Sequence, residues 1–333
     1  MKNLRTFNEN VEAEKWWKKY TKYELSAYPT NVPEKDVTVD LSGDIDTHPV
    51  LTWNSPVSGK KVYSYTKKRM ESQKAEKYSR IEKMSQDQID KMKVLCHDVI
   101  VGDADDKKKQ AAVIVSIIAQ TGLRPGSKKG FEETENRGVT TLSASNIKIT
   151  GANIKLNFTG KAYQDNVAEL TDGAIAHYLS KRIKGMKGGF VFDVGRDAVD
   201  SFMKSVPKMD KFKVKDLRTH IANKVAKDFL ETDPLPPPPV PKDPVDIKKA
   251  VKRKFTKAFE AVSRVLNNSP AMAKGSYVDP AVLTTWLAKW GIAYSTGVIE
   301  SLEEDKPVKM VGNVPVYTLP DWWDSDEIEL VKK

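Results

Sequence analysis

AAVIVSIIAQTG, residues 111–122, is apolar almost throughout, and a helical run with no polar face is one that is buried on every side. Gly122 stops it. A helix of this kind needs neighbours all round, so it is placed at the centre of a large domain. Upstream, Ser85 with Gln88 fits a capping box, and Ile89, Met92, Leu95 and Val99 follow at helical spacing. A helix therefore opens there, and the boundary of the large domain is set beside it. A polar turn, Gly102–Lys109, separates the two helices. Downstream, segments 138–142, 146–149, 153–158 and 166–170 alternate or are short and β-prone, with Thr150–Asn153 and Thr159–Asp165 as turns. They predict a small antiparallel sheet whose second turn carries Lys161.

Helices are expected again over 172–183, 196–205 and 214–230. The run PLPPPPVPKDP from Pro234 then excludes helix and central strand, and reads as a stiff spacer or as a ligand for a proline-recognition module. Over 246–266, Ile247, Val251, Phe255, Ala258, Phe259, Val262 and Leu266 form one stripe, with Lys248, Lys249, Lys252, Arg253 and Lys257 elsewhere. Such a helix packs inward and faces an anion outward. Ser269-Pro270 opens a short helix and Asp279-Pro280 opens the next, AVLTTWLAKW, closed by Gly291. Tyr277 falls in the joint between them.

The chain's first part differs in pattern. A short helix is expected around residues 9–24, then a two-residue alternation in Asp36–Leu41 and from Val50 to Tyr65, with Ser58-Gly59 as a hairpin turn. Lys67–Met84 is dense in Lys and Arg and reads as an exposed helix or loop. The 333 residues suggest about two domains. The expected division is a β-rich N-terminal domain over 1–84, a mainly helical domain with a small sheet over 85–291, and an extension over 292–333, an α+β architecture. The extension carries a strand-like VPVYTL and an acidic end.

A formal charge of +10 makes a polyanionic partner plausible without deciding it. Cys96 is the single cysteine, so no intramolecular disulfide can form, which points to a reducing compartment. No apolar run reaches the roughly 18 residues of a membrane span. A cytoplasmic protein without a membrane partner is expected. Neither HExxH, nor a cysteine cluster, nor closely spaced carboxylates for two-metal chemistry occur, so no metal or cofactor is expected.

Four segments, TGLRPG, TGKAYQDN, KDLRT and NNSPAMAKGSY, resemble in sequence and in order the catalytic blocks of the poxvirus and bacterial type IB DNA topoisomerases. The resemblance runs from about residue 50 to about residue 285. By position it implies that Arg124 and Arg218 are the family's two arginines, Lys161 its hairpin lysine and Tyr277 its nucleophile. Asn268, nine residues before the tyrosine, stands where the poxvirus enzymes carry His and many bacterial ones Asn. Lys215 is implied as a secondary contributor to proton transfer or phosphate contact. In the first domain GKKVYSY resembles the duplex-contacting strand, with Tyr63 and Tyr65 at its tyrosine positions and Val62 where many relatives carry Gln. Lys60, Lys61, Lys67, Lys68, Lys74 and Lys77 remain to neutralise phosphates.

The chemistry suits these residue types. In-line attack on a phosphodiester builds negative charge on the non-bridging oxygens, where two guanidinium forks are permanent donors. The 5′ oxygen is a poor leaving group and needs a proton, which a lysine on a turn can supply. A phenol must lose its proton during attack. The resemblance implies a clamp around duplex DNA, a monomer that cuts one strand through a 3′-phosphotyrosyl link, lets it rotate and reseals it without ATP. A tyrosine recombinase shares this chemistry, but usually has His where Lys215 stands and a helical first domain. A DNA-binding relative that has lost catalysis is the third reading, motivated by Val62 and the proline run.

Overall fold

A computed structural model describes residues Trp16–Thr232 and Pro244–Lys289, together with four short strands beyond them, Ser295–Thr296, Lys309–Val311, Val314–Val316 and Thr318–Leu319. The chain divides into two compact units, Met1–Arg80 and Ile81–Lys333. The proline run of 234–243, residues 9–15 of the first expected helix and most of the extension lie outside the described residues.

The first unit is built on a three-stranded antiparallel sheet in the order β1 (Val37–Val39), β2 (Leu51–Asn54), β3 (Lys61–Ser64). The two-residue period decides which side faces in. Leu51 and Trp53 of β2 are buried with Leu25, Val32, Val37 and Val50, while Lys61 and Tyr63 of β3 are exposed. Gly59 turns the β2–β3 connection in the left-handed region at φ +67°, where glycine has no Cβ to clash. Trp16–Tyr23 is a 3-10 helix. The lysine-rich segment is α1 (Lys67–Glu82), a helix opened by Thr66, whose hydroxyl accepts from the Arg69 N–H at 3.1 Å.

In the second unit α2 (Gln86–Val101) begins with the capping box read from Ser85 and Gln88: the Ser85 hydroxyl accepts from Gln88 N at 3.2 Å, and the Ser85 N–H donates to Gln88 Oε1 at 2.8 Å. The next helix, α3 (Asp106–Thr121), starts inside the segment expected to be a turn. Asp105 caps it by accepting from Lys108 N at 3.0 Å, and a helix start of Asp and Lys is polar simply because it is exposed. From Gln110 to Ile118 every side chain is buried, and Gly122 ends the helix at φ +65°.

A short helix, α4 (Lys128–Thr134), was not anticipated; Ser127 caps it, accepting from Gly130 N at 3.1 Å. Residues 138–142 are not a strand. Val139–Thr141 is a buried 3-10 turn, because its backbone bonds the Arg124 loop: Val139 N donates to Arg124 O at 2.9 Å and Thr140 N to Pro125 O at 2.8 Å. The sheet itself is β4 (Ile147–Thr150), β5 (Asn153–Thr159) and β6 (Asp165–Thr171), antiparallel in that order. Ile154, Leu156 and Phe158 of β5 point into the same core as α3. Four helices follow at nearly their expected places: α5 (Gly173–Ile183), α6 (Arg196–Ser205), α7 (Val214–Thr232) and α8 (Pro244–Leu266). The last two are α9 (Pro270–Ser276) and α10 (Pro280–Lys289). A second apolar cluster joins α7, α8 and α10 through Ala222, Ala226, Phe255, Val262, Leu266, Leu283 and Trp286, with Tyr277 among them. The whole is α+β, mainly helical with small antiparallel sheets.

Candidate active site

Tyr277 is fixed by the helix ends on either side of it. Ser269 caps α9 by accepting from Met272 N at 3.2 Å, with Pro270 preset for the first turn. Tyr277 is the C-terminal cap, its N–H bonded to Ala273 O at 3.1 Å. Beyond it, Asp279 N donates to Asn223 Oδ1 of α7 at 2.8 Å, so the chain cannot swing away before α10 begins. The ring is buried, held in the second apolar cluster.

Two guanidiniums lie over that ring. The Arg218 guanidinium carbon is 5.0 Å from the ring centroid and that of Arg124 is 5.7 Å away, within the range of cation–π attraction. Arg218 is only 2% exposed. It is held by donating to two backbone carbonyls, those of Gly122 and Leu266, the ends of α3 and α8. Burial lowers its pKa, Tyr277 opposes that shift and the nearby Arg124 charge adds to it; a guanidinium is so weakly acidic that it stays charged all the same. Arg124 is half-buried on the loop after Gly122. That loop approaches Gly138 so closely that a Cβ there would meet Gly126 N at 2.5 Å and Arg124 O at 2.8 Å.

Asn268 follows α8 across Asn267, whose φ is +47°. Its N–H bonds Ser263 O at 3.1 Å, yet its side-chain Oδ1 and Nδ2 are both buried with no hydrogen-bond partner. A buried amide with both ends unsatisfied is costly, and a phosphate oxygen would satisfy its donor end. The structure thus gathers Arg124 and Arg218 on Tyr277, and leaves Asn268 unpartnered at the end of α8. Lys161 is different. It is exposed in the short 3-10 turn Lys161–Tyr163 between β5 and β6, and makes no hydrogen bond or ion pair among the described residues. Lys215 is exposed on the first turn of α7.

In the first unit, Tyr63 is half exposed, with the Lys61 ammonium 5.7 Å from its ring centroid. Val62 turns the other way and packs against the sheet's core, so an apolar residue suits the position. Tyr65 is half-buried, tied to Ser26 through both its N–H and its carbonyl. Lys60 and Lys67 are exposed, Lys74 and Lys77 half-buried, and Lys68 is paired with Asp46 at 2.6 Å. Hydrogen bonds from Lys68 and Thr66 hold the Asp46 carboxyl below its usual range.

Arg137 was missed from the sequence. It stacks on Phe131 with its guanidinium carbon 4.5 Å from the ring centroid, and donates to Thr141 O. The signals available were weak: an Arg-Gly pair, and Gly126 a short distance upstream.

A search of curated proteins finds no match. Among solved structures, the XerH site-specific recombinase bound to difH substrate in a pre-cleavage complex is similar at 13% identity and a TM-score of 0.38, over 62% of this chain and 54% of that one. The same recombinase on a palindromic difH substrate, post-cleavage, gives 11% identity and a TM-score of 0.38, over 61% and 49%. The chain thus spans about half the length of these proteins. The family model described as eukaryotic DNA topoisomerase I, catalytic core, matches residues 66–286, taking in Arg124, Lys161, Arg218, Asn268 and Tyr277. The match spans most of the chain, which belongs to this DNA topoisomerase I catalytic-core family.

Proposed function

We propose that this protein relaxes supercoiled duplex DNA as a type IB enzyme, with Tyr277 Oη attacking a phosphodiester to form a 3′-phosphotyrosyl link. The observation that carries the reading is the buried Tyr277 ring beneath two guanidiniums, with an unpartnered Asn268 amide at the neighbouring helix end. As the phenol oxygen bonds to phosphorus, negative charge grows on the non-bridging oxygens. Arg124, Arg218 and the Asn268 amide N–H supply donors to it. The bond from phosphorus to the 5′ oxygen breaks, and Lys161, on the hairpin turn, gives that oxygen its proton. The phenol proton leaves to water, aided by the two cations. Strand rotation about the intact strand then releases supercoils. Resealing is the reverse attack by the 5′ hydroxyl, so the energy of the phosphodiester is conserved in the phosphotyrosine and neither ATP nor a cofactor is consumed. The protein acts as a monomer in the cytoplasm, with Tyr63, Lys60, Lys61 and the lysines of α1 meeting the duplex.

Purified protein incubated with supercoiled plasmid in EDTA without ATP is expected to relax it, and Tyr277→Phe to leave it supercoiled while still binding DNA. No relaxation by the natural chain, or equal relaxation by the variant, overturns the reading. Recombination between two defined sites in place of relaxation favours a tyrosine recombinase.

A further inference from the structure

Between the Arg124 loop and the Lys161 hairpin lies one short segment that bonds to both. Arg137 N donates to Thr159 O, the last residue of β5, at 2.9 Å. Two residues on, Val139 N donates to Arg124 O at 2.9 Å and Thr140 N to Pro125 O at 2.8 Å. Gly138, between them, presses its backbone on Gly126. On the hairpin side Gly160 is also confined, since a Cβ there would meet Asn166 Nδ2 at 2.4 Å and Arg137 O at 3.5 Å. The segment thus ties the loop that holds a guanidinium over Tyr277 to the turn that carries the lysine.

The Arg137 side chain locks this strap. Its guanidinium donates to Thr141 O and lies 4.5 Å from the Phe131 ring centroid and 6.0 Å from that of Phe190, the two rings being edge to face at 5.2 Å. Burial alone lowers its pKa. No carboxylate pairs with it among the described residues. An arginine spent on a backbone carbonyl and two aromatic faces is held for its shape, and the shape it braces is the strap. We propose that Arg137 is a positioning residue, setting the Lys161 hairpin in register with Arg124 so that leaving-group protonation and phosphate stabilisation act in one transition state. This rests on the reading in the preceding section.

The test is single-turnover cleavage of a duplex by the full chain, with DNA saturating. Arg137→Ala is expected to slow cleavage about 100-fold, the usual consequence of an ångström-scale misplacement, with duplex affinity within about twofold of the natural chain, a spread of under half a kcal/mol. The specific readout is a substrate whose scissile 5′ oxygen is replaced by sulfur, a leaving group that needs no acid. Arg137→Ala is expected to recover about tenfold or more on it, as Lys161→Ala does, whereas Arg124→Ala does not, because only the contribution of the acid is bypassed. Arg137→Lys keeps charge and stem but not the stacked plane, and is expected to fall between the two at an unchanged Tm. Natural cleavage by Arg137→Ala, or by Arg137→Lys at an unchanged Tm, overturns the inference. So does a defect that sulfur leaves untouched. Absence of cleavage by the natural chain instead overturns the topoisomerase reading, and this inference with it.

Discussion

Asn268 is a residue whose stability and activity pull apart. Both its amide atoms are buried without partners, a penalty of about 1–3 kcal/mol that the folded chain carries. Asn268→Leu is therefore expected to leave Tm unchanged or raised while slowing cleavage about 100-fold, the effect of deleting one donor to a developing oxyanion. Thermal melts beside single-turnover cleavage check it, and a variant that loses both together contradicts it. His220 makes the opposite kind of residue. Burial first, then the charges of Lys224 and Lys93, lower its pKa below the ordinary 6.5, so the folded state favours neutral imidazole. The unfolded chain takes up a proton as pH falls below 6.5, so the stability is present above that pH and lost beneath it. His220→Gln is expected to flatten the decline in stability between neutral and mildly acidic pH in denaturant titrations. An unchanged decline rules His220 out as its source.

Helix ends carry much of the second unit's definition, and two of them separate support from chemistry. Ser85→Ala removes a complete capping box from α2 and is expected to reduce stability by about 1 kcal/mol, with cleavage by the folded protein unchanged. Gly122→Ala also strikes a helix end, but at φ +65° and with the new Cβ 2.8 Å from Leu266 Cδ2. It is expected to cost about 1–3 kcal/mol and to slow cleavage as well, because Arg218 is anchored on the Gly122 carbonyl. A Gly122→Ala protein with reduced Tm and natural cleavage would show that the anchor tolerates displacement. These ends also mark what was legible in advance. Ser85, Gly122, Ser269-Pro270 and the β5–β6 turn were readable because capping and turn rules act over three or four residues. The 3-10 turn at Val139–Thr141 was mistaken for a strand because its β-prone residues answer to partners at Arg124 and Pro125, which no local pattern reveals. That Arg124, Arg218 and Tyr277 belong together was readable from their motifs, and the structure brings the three together. Arg218's burial and its two carbonyl partners were not readable, since those partners lie 96 and 48 residues away.

Across the whole molecule, the proposed duplex binding by a chain of net charge +10 is expected to weaken steeply with salt. Removing Lys61 or Lys67 is expected to reduce the slope of log affinity against log salt by about 1 each, the effect of one lost phosphate contact. Lys68→Ala is expected to change it less, since Asp46 already neutralises that ammonium at 2.6 Å. Equal slopes for all three variants contradict this. Binding of that kind would leave little room for base reading, in keeping with Val62 turning inward. One feature ties the molecule's chemistry to its persistence. Arg218 closes the C-terminal ends of α3 and α8 with a single guanidinium, whereas the Tyr277 hydroxyl is a small addition to a ring already packed among apolar neighbours. Over generations without selection for cleavage, the hydroxyl is free to vanish by drift, but the arginine is retained by folding. Under the proposed function, therefore, an intact arginine in a descendant testifies to the fold, and only the tyrosine testifies to cleavage.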